Sequence, residues 1–530
     1  MKTDQSFFHE GHNCWSVDEV TKNGVLVDGE NYYKAFYEAA QKATRYIIIA
    51  GWQFDSGTRL LKKRDKKKSP FSGVFIHFLN QLCHKNPQLR VMILAWDFSF
   101  IYSFERESKQ HARFNNSTAP NFKFVFDRFH PRLASHHQKF VVIDGNLAFT
   151  GGMDLCACRW DSRSHQVENP ERTSPYHAMY APYHEVQCFV TGPIVRRFVD
   201  IFVDRWQTAT GEKLGLLTTG EPVTDFKGVL PLPPSRVALA RTVGACVYPI
   251  RQKVDEIRKM FLDMIEKAER LIYIEVQYFA SHEIYGALKK KLMIKSDESL
   301  QVIILLPAKL GPFKEQIAFG AQGTKMLRSL VKTAEANGHH VGVFNAVATD
   351  NNGHEQAVYI HSKVMIVDDK FMTIGSANLC NRSMGLDSEL NLIWQAEDES
   401  MQQAIAEVRV SLLLEHTNLD AAEYRSRMVK HEGLAAFLIK AATEGICRLK
   451  FHNMKSIYEE NPILNWIIPE DFSLDPAEAI IDAKLLEVAG KNPGGLTARF
   501  VRWLNRRIQR REAKLEDAPM SSAAEPEIQS

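Results

Sequence analysis

Two nonapeptides decide the reading of this chain: HHQKFVVID at 136–144 and IHSKVMIVD at 360–368. Each carries a His-x-Lys-x4-Asp pattern, with His137, Lys139 and Asp144 in the first and His361, Lys363 and Asp368 in the second. Each ends in an apolar, largely β-branched run, the composition of a strand buried on both faces. Residues two apart on a strand share a face. The histidine and lysine of each pattern therefore point the same way.

Outward from these stretches, the sequence repeats itself. RYIIIAGWQF at 45–54 matches RLIYIEVQYF at 270–279, LRVMILAWD at 89–97 matches LQVIILLPA at 300–308, and FKFVF at 122–126 matches HVGVF at 340–344. Gln53 and Gln277, His137 and His361, and Gly151 and Gly375 all stand 224 positions apart. Amphipathic helical stretches precede the first strand of each half. Strands alternating with helices predict an α/β fold of two similar lobes, each a mixed sheet flanked by helices, related by a pseudo-two-fold axis. The expected boundaries are 1–208 for the first lobe, 209–235 for a Gly- and Pro-bearing linker and 236–420 for the second lobe. A mostly helical extension at 421–514 and a disordered tail at 515–530 follow.

Two imidazoles and two ammonium groups converging on one cleft suit phosphoryl transfer. The reaction needs fixed positive charge on the phosphate oxygens, a nucleophile, and a proton donor for the leaving oxygen. A glycine-bearing turn follows each pattern, Gly151-Gly152-Met153-Asp154 and Gly375-Ser376-Ala377-Asn378. Small residues there predict substrate binding by Gly151, Gly152, Gly375, Ser376 and Asn378. A histidine acting as nucleophile needs its second ring nitrogen held by a carboxylate. Glu185 and Glu389 are the candidates, with Glu185 expected on His137 and Glu389 on His361. Asp144 and Asp368 count among the catalytic candidates, although an aspartate ending a strand is often a turn residue. Arg159 and Arg382 are open between phosphate binding and pairing with Asp161 or Asp387. His136 and His165 read as bystanders.

The chain resembles the phospholipase D superfamily over roughly residues 30–420. GGMDLCACRWDSRSH at 151–165, HEVQCFVTGPIVRRFVDIFVDRW at 184–206, VQYF at 276–279 and HSKVMIVDDKFMTIGSANLCNRSMGLDSELN at 361–391 carry the likeness. The resemblance implies that His137 is the nucleophile and His361 the general acid, then base. It also implies a covalent phosphohistidine and no required metal or other cofactor. The expected substrate is a glycerophospholipid, cleaved to phosphatidate and a headgroup alcohol. A cardiolipin-synthase-type transphosphatidylase uses the same residues. A superfamily nuclease and a non-catalytic membrane scaffold are the further rivals. The slight net charge of +3 weighs against a nucleic-acid partner, and all four motif His and Lys residues are present, where a scaffold would have lost one. One chain carries both half-sites, so a monomer suffices for the site.

The remaining features set the surroundings. The 530 residues are 45% hydrophobic and 24% charged, an ordinary soluble composition. Eight scattered cysteines with no Cys-x-x-Cys predict reduced, buried thiols and no zinc knuckle. MKTDQSFFHEGHNCWSVDEV at the start has no signal-peptide core, and no apolar run reaches the ~18–20 residues of a membrane span. The expectation is a cytoplasmic protein at an anionic membrane surface, unless a leaderless system exports it. KKRDKKK at 62–68 and the basic amphipathic stretch TARFVRWLNRRIQRREAK at 497–514 are the candidate membrane contacts.

Overall fold

A computed structural model describes residues 6–455, apart from 63–64, 66–68, 98–105, 117, 297 and 312–314. Beyond 455 it describes only residues 459, 475–479, 484, 486, 487, 491, 495 and 499. Two sheets carry the fold. Six strands of the first run in the order Val186–Thr191, Leu147–Gly151, Phe140–Ile143, Tyr46–Gly51, Arg90–Trp96, Phe122–Asp127. Six of the second run Glu389–Gln395, Phe371–Gly375, Val364–Val367, Leu271–Glu275, Gln301–Leu305, His340–Thr349, which is the same order. The last three strands of each set are parallel and the others antiparallel. The internal repeat is thus a repeat of topology, and the α/β architecture of two lobes stands.

The strands read as continuous apolar runs because both faces are buried. In Tyr46–Gly51, Tyr46, Ile48 and Ala50 enter a central core, while Ile47 and Ile49 enter an outer one beneath the helices Asp28–Ala40 and Phe75–Lys85. In Leu271–Glu275, Leu271 and Tyr273 join the same central core, while Ile272 and Ile274 face Glu256–Lys267 and its neighbours. The central core therefore takes side chains from both sheets, together with the helices Val195–Thr210 and Glu399–Thr417. Burying apolar area from both lobes in one core makes their separation costly.

The expected boundaries need correction. Ser16–Val20 pairs with Ser235–Val243 in the second sheet, so the N-terminal strand belongs to the second lobe. Val229–Leu232, within the expected linker, pairs with Asn23–Val27 as the edge of the first sheet. The chain thus exchanges edge strands between lobes, which no repeat or composition shift signals. After residue 420 come the helices Ala421–Val429 and Leu434–Glu444, then a strand Leu449–Phe451 that adds to His340–Thr349. The expected basic helix at 497–514, Arg499 aside, and the tail at 515–530 lie outside the described residues. No helix among the described residues is long and apolar enough to cross a membrane.

Candidate active site

The regular strand of each motif is shorter than expected. It covers only Phe140–Ile143 and Val364–Val367. Ahead of each, the chain leaves its own sheet and joins the other lobe. His136 bridges Ser388, and His137 N–H donates to Ser388 O at 2.9 Å. Tyr359–Ile360 pairs in parallel with Tyr183–His184, and His361 N–H donates to His184 O at 3.0 Å. Each histidine is thus laid beside the glutamate of the opposite half.

That crossover reverses the expected pairing. His137 Nδ1 lies 2.9 Å from Glu389, and His361 Nδ1 lies 2.5 Å from Glu185. The expectation failed because it paired each glutamate with the histidine nearest in sequence, while the backbone pairs it across the lobes. Both carboxylates are fully buried. Glu389 also accepts from Ser376 Oγ at 2.5 Å and Ser383 Oγ at 2.7 Å. Glu185 accepts from Val186 N–H at 3.0 Å.

Burial sets the electrostatics. It pulls both imidazoles well below their ordinary range, and the neighbouring Lys139 and Lys363 act in the same direction. It pushes Glu185 and Glu389 up to about 8. Each pair therefore favours the form without net charge, which holds two protons, one between Nδ1 and the carboxylate and one on Nε2. A free lone pair on Nε2 belongs to a pair that has given up this second proton and keeps Nδ1–H on the carboxylate. Burial also lowers Lys363 to about 8, with Lys139 and Arg159 repelling its charge.

The lysines are fixed by short partners. Lys139 Nζ pairs with Asp154 at 3.2 Å, and Lys363 Nζ donates to Gln277 Oε1 at 3.3 Å and to His361 O. His137, Lys139 and His361 line one cleft of about 690 Å³, walled by Trp52, Gln53, Arg159, Tyr183, Gln277 and Tyr359. The Arg159 guanidinium lies over the Tyr183 ring at 5.2 Å. Arg159 thus has its place in the cleft wall. Arg382 instead pairs with Asp387 at 2.8 Å.

Other predicted site residues lie elsewhere. Asp144 accepts from the N–H groups of Thr44, Arg45 and Tyr46 at 2.7–2.9 Å. Asp368 accepts from Glu269, Arg270 and Leu271 at 2.7–2.8 Å. Both take left-handed backbone, φ 50° and 53°. They stand at the far end of the motif strand and anchor the start of its neighbour, so the catalytic expectation for them is corrected. Gly151, Gly152, Gly375, Ser376 and Asn378 are not part of the cleft wall, although Asp154, which ends the first turn, is. A Cβ on Gly152 would meet Glu185 Oε1 at 2.5 Å, and one on Gly151 would meet the Gln187 side chain at 2.6 Å. Gly375 likewise packs against Asn391. Ser376 holds Glu389, and Asn378 N–H donates to Ser383 Oγ at 3.2 Å. Smallness makes room for the Glu185 carboxylate at Gly152 and for the amide side chains of Gln187 and Asn391 at Gly151 and Gly375, which corrects the expectation of phosphate contact. His136 is the expected bystander, with Nδ1 on Ser388 Oγ at 3.0 Å. Of the lysine run at 62–68, Lys62 is buried over the Trp160 ring at 4.1 Å and Asp65 pairs with Lys34. Its other members lie outside the described residues.

Behind the cleft lies a buried ionic network that sequence reasoning missed. His184 Nδ1 faces Glu415 at 2.9 Å and Asp28 at 3.1 Å, and its Nε2 faces Glu275 at 3.0 Å. Glu275 also accepts from Ser362 Oγ at 2.6 Å and faces His416 at 2.8 Å. His165 lies between Asp161 and Glu415, each at 3.0 Å, while Arg163 pairs with Glu415 and Arg172 with Asp161. His184 adjoins Glu185 and Ser362 adjoins His361, so the network ties together the two segments that form one half-site. Asp28, His165, His184 and Glu415 bring ligand atoms within 4.8 Å of one another. Both nitrogens of the two imidazoles nevertheless already face carboxylates, and the imidazoliums supply the balancing charge. Burial disfavours that charge, but Asp28, Asp161 and Glu415 together raise His165 to about 10.

This geometry agrees with the family comparisons. A family model described as Phospholipase D matches residues 39–225, and one described as Cardiolipin synthase, PLD-like domain, matches residues 261–411. The chain belongs to the phospholipase D superfamily. It is 25% identical to Phospholipase D1 of Schizosaccharomyces pombe over 69% of this chain and 32% of that one. It is 24% identical to Phospholipase D A of Dictyostelium discoideum over 71% of this chain and 33% of that one. It thus spans about a third of the length of these curated relatives. Among solved structures, phosphatidylserine synthase of Haemophilus influenzae is similar at 15% identity and a TM-score of 0.48, covering 81% of this chain and 95% of that one.

Proposed function

We propose that this protein hydrolyses the headgroup phosphodiester of glycerophospholipids to phosphatidate and a free alcohol. The observation that carries the proposal is the pair of imidazoles on one cleft, each with Nδ1 on a buried carboxylate. With Nε2 of His137 unprotonated and Nε2 of His361 protonated, His137 Nε2 attacks phosphorus, and the P–O bond to the headgroup breaks. His361 gives its proton to the leaving oxygen. Lys139, Lys363 and Arg159 carry the charge of the phosphate oxygens. Water then attacks the phosphohistidine, His361 takes the water's proton, the P–N bond breaks, and phosphatidate leaves.

An alcohol in place of water gives transphosphatidylation by the same steps. The cardiolipin synthase description matched by the second half favours keeping this second reading. The test is incubation of the purified chain with defined phospholipids, with and without glycerol. Phosphatidate and free headgroup support hydrolysis. Phosphatidylglycerol formed in preference to phosphatidate supports transfer. Quench in neutral denaturant during turnover should place acyl-labelled phosphatidyl on the peptide holding His137, and His137→Ala and His361→Ala should each abolish turnover without unfolding. Half-activity in each single variant would sink the shared cleft.

A further inference from the structure

Large apolar side chains of this protein are mostly buried, yet Tyr176 is 81% exposed and Met179 is 66% exposed. They belong to four consecutive exposed residues, Tyr176, His177, Ala178 and Met179. The segment is internally closed. Thr173 bridges Met179, Ser174 N–H donates to Ala178 O at 2.8 Å, and His177, at φ 64°, donates from N–H to Ser174 O at 3.0 Å. Its base is anchored by buried Arg172, which donates to Tyr180 O at 2.9 Å and Val167 O at 2.7 Å. Ser174, Pro175, Tyr180 and Ala181 form part of the cleft wall beside His137 and His361, and Tyr176 itself lines the cleft at its rim, whereas Met179 does not. A fixed base thus holds an apolar, acid-free tip in water at the cleft mouth. Such a tip adds nothing to the core and gains only from being covered.

We propose that Tyr176 and Met179 enter the phospholipid–water interface and seat the mouth of the cleft on the membrane. This inference rests on the lipid reading of the site. A diacyl lipid presents its phosphodiester at headgroup depth, so a cleft that cleaves it must open onto that plane. Tyrosine, with an apolar ring and a polar hydroxyl, suits this depth. Unbranched methionine adapts to the irregular spaces among acyl chains.

The test uses the full chain and vesicles of phosphatidylcholine with phosphatidylglycerol. Met179→Asp is expected to weaken vesicle binding by about tenfold or more, the scale of one apolar side chain withdrawn from lipid. Hydrolysis of vesicle lipid should fall in parallel, with turnover of a monomeric short-chain phosphatidylcholine and the melting temperature unchanged. Met179→Leu should bind like wild type. Equal vesicle binding by Met179→Asp, or a wild-type chain that cleaves the short-chain lipid without binding vesicles, overturns the inference while the substrate reading stands. A chain that cleaves a simple aryl phosphodiester but no phospholipid in either form overturns the substrate reading, and this inference with it.

Discussion

In the proposed mechanism each of the crossed carboxylates serves one chemical step, and Glu→Gln substitutions separate the two. Glu389 accepts from His137 Nδ1 at 2.9 Å and from two serine hydroxyls. In Glu389→Gln, the amide oxygen can still accept from Nδ1, and a hydroxyl can turn to accept from the new NH2. The fold should therefore persist. What is lost is the negative charge opposite a ring that becomes cationic when Nε2 bonds phosphorus. A unit charge pair at ~4 Å is worth about 4 kcal/mol at an effective dielectric of ~20. A neutral hydrogen bond retains roughly half of a charge-assisted one. The net loss is then about 2 kcal/mol, or ~30-fold in the rate of adduct formation, inside the ~10–100-fold range for such partners. Glu185→Gln should cost a similar factor, but in protonation by His361.

The assay compares two phosphatidyl esters, one with choline and one with p-nitrophenol as leaving group, and reads the burst of released alcohol. p-Nitrophenolate leaves without a proton. Glu185→Gln should therefore lose ~30-fold on the choline ester and little on the nitrophenyl ester. Glu389→Gln should lose ~30-fold on both. If the nitrophenyl ester rescues Glu389→Gln and fails to rescue Glu185→Gln, the roles of His137 and His361 are reversed. Wild-type bursts in both variants would remove the carboxylates from the mechanism.

Three further outcomes are expected. Asp144→Ala removes an acceptor of three backbone N–H groups, so denaturant titration should show a loss of about 3 kcal/mol or more, with kcat of the folded fraction near wild type; a kcat loss in folded protein at unchanged stability would restore a chemical role. Lys363, lowered to about 8 by burial, should give kcat/KM a basic limb near pH 8 as its charge is lost with rising pH, while the limb of kcat moves upward because bound phosphate favours the ammonium; a flat kcat/KM profile to pH 10 would contradict this. His165 is raised to about 10, so its stabilising contribution is complete below its unfolded value of ~6.5 and is lost as pH rises through about 10; the melting temperature should fall between pH 7 and 10, less so in His165→Gln, and identical slopes for both proteins would refute the assignment.

The sequence made some parts of this molecule legible and hid others for physical reasons. The strands were readable because burial on both faces leaves continuous apolar runs such as IIIA at 47–50 and IYI at 272–274. The motif histidines and lysines were readable because two-residue spacing is local. Partnership across the lobes was not, since the shift of HHQK onto Ser388 and of YIH onto Tyr183 and His184 depends on how two sheets dock. The same reason hides the network around His184, whose four carboxylates come from positions 28, 161, 275 and 415 and acquire meaning only together. The glycine turns were read for the right property and the wrong neighbour. Gly152 is small because Glu185 fills the space a Cβ would take, while Ser376, at the matching position, has its hydroxyl on Glu389. The two half-sites therefore share a plan but differ in how their carboxylates are held, with two hydroxyls on Glu389 and one backbone N–H on Glu185. A carboxylate with more donors is the better counter-charge for a ring that stays cationic through the life of a phosphohistidine. One with fewer donors passes its proton back more readily. That difference supports the proposed roles, with the nucleophile at His137 and the shuttling acid at His361, on grounds independent of resemblance. The leaving-group experiment tests this asymmetry directly.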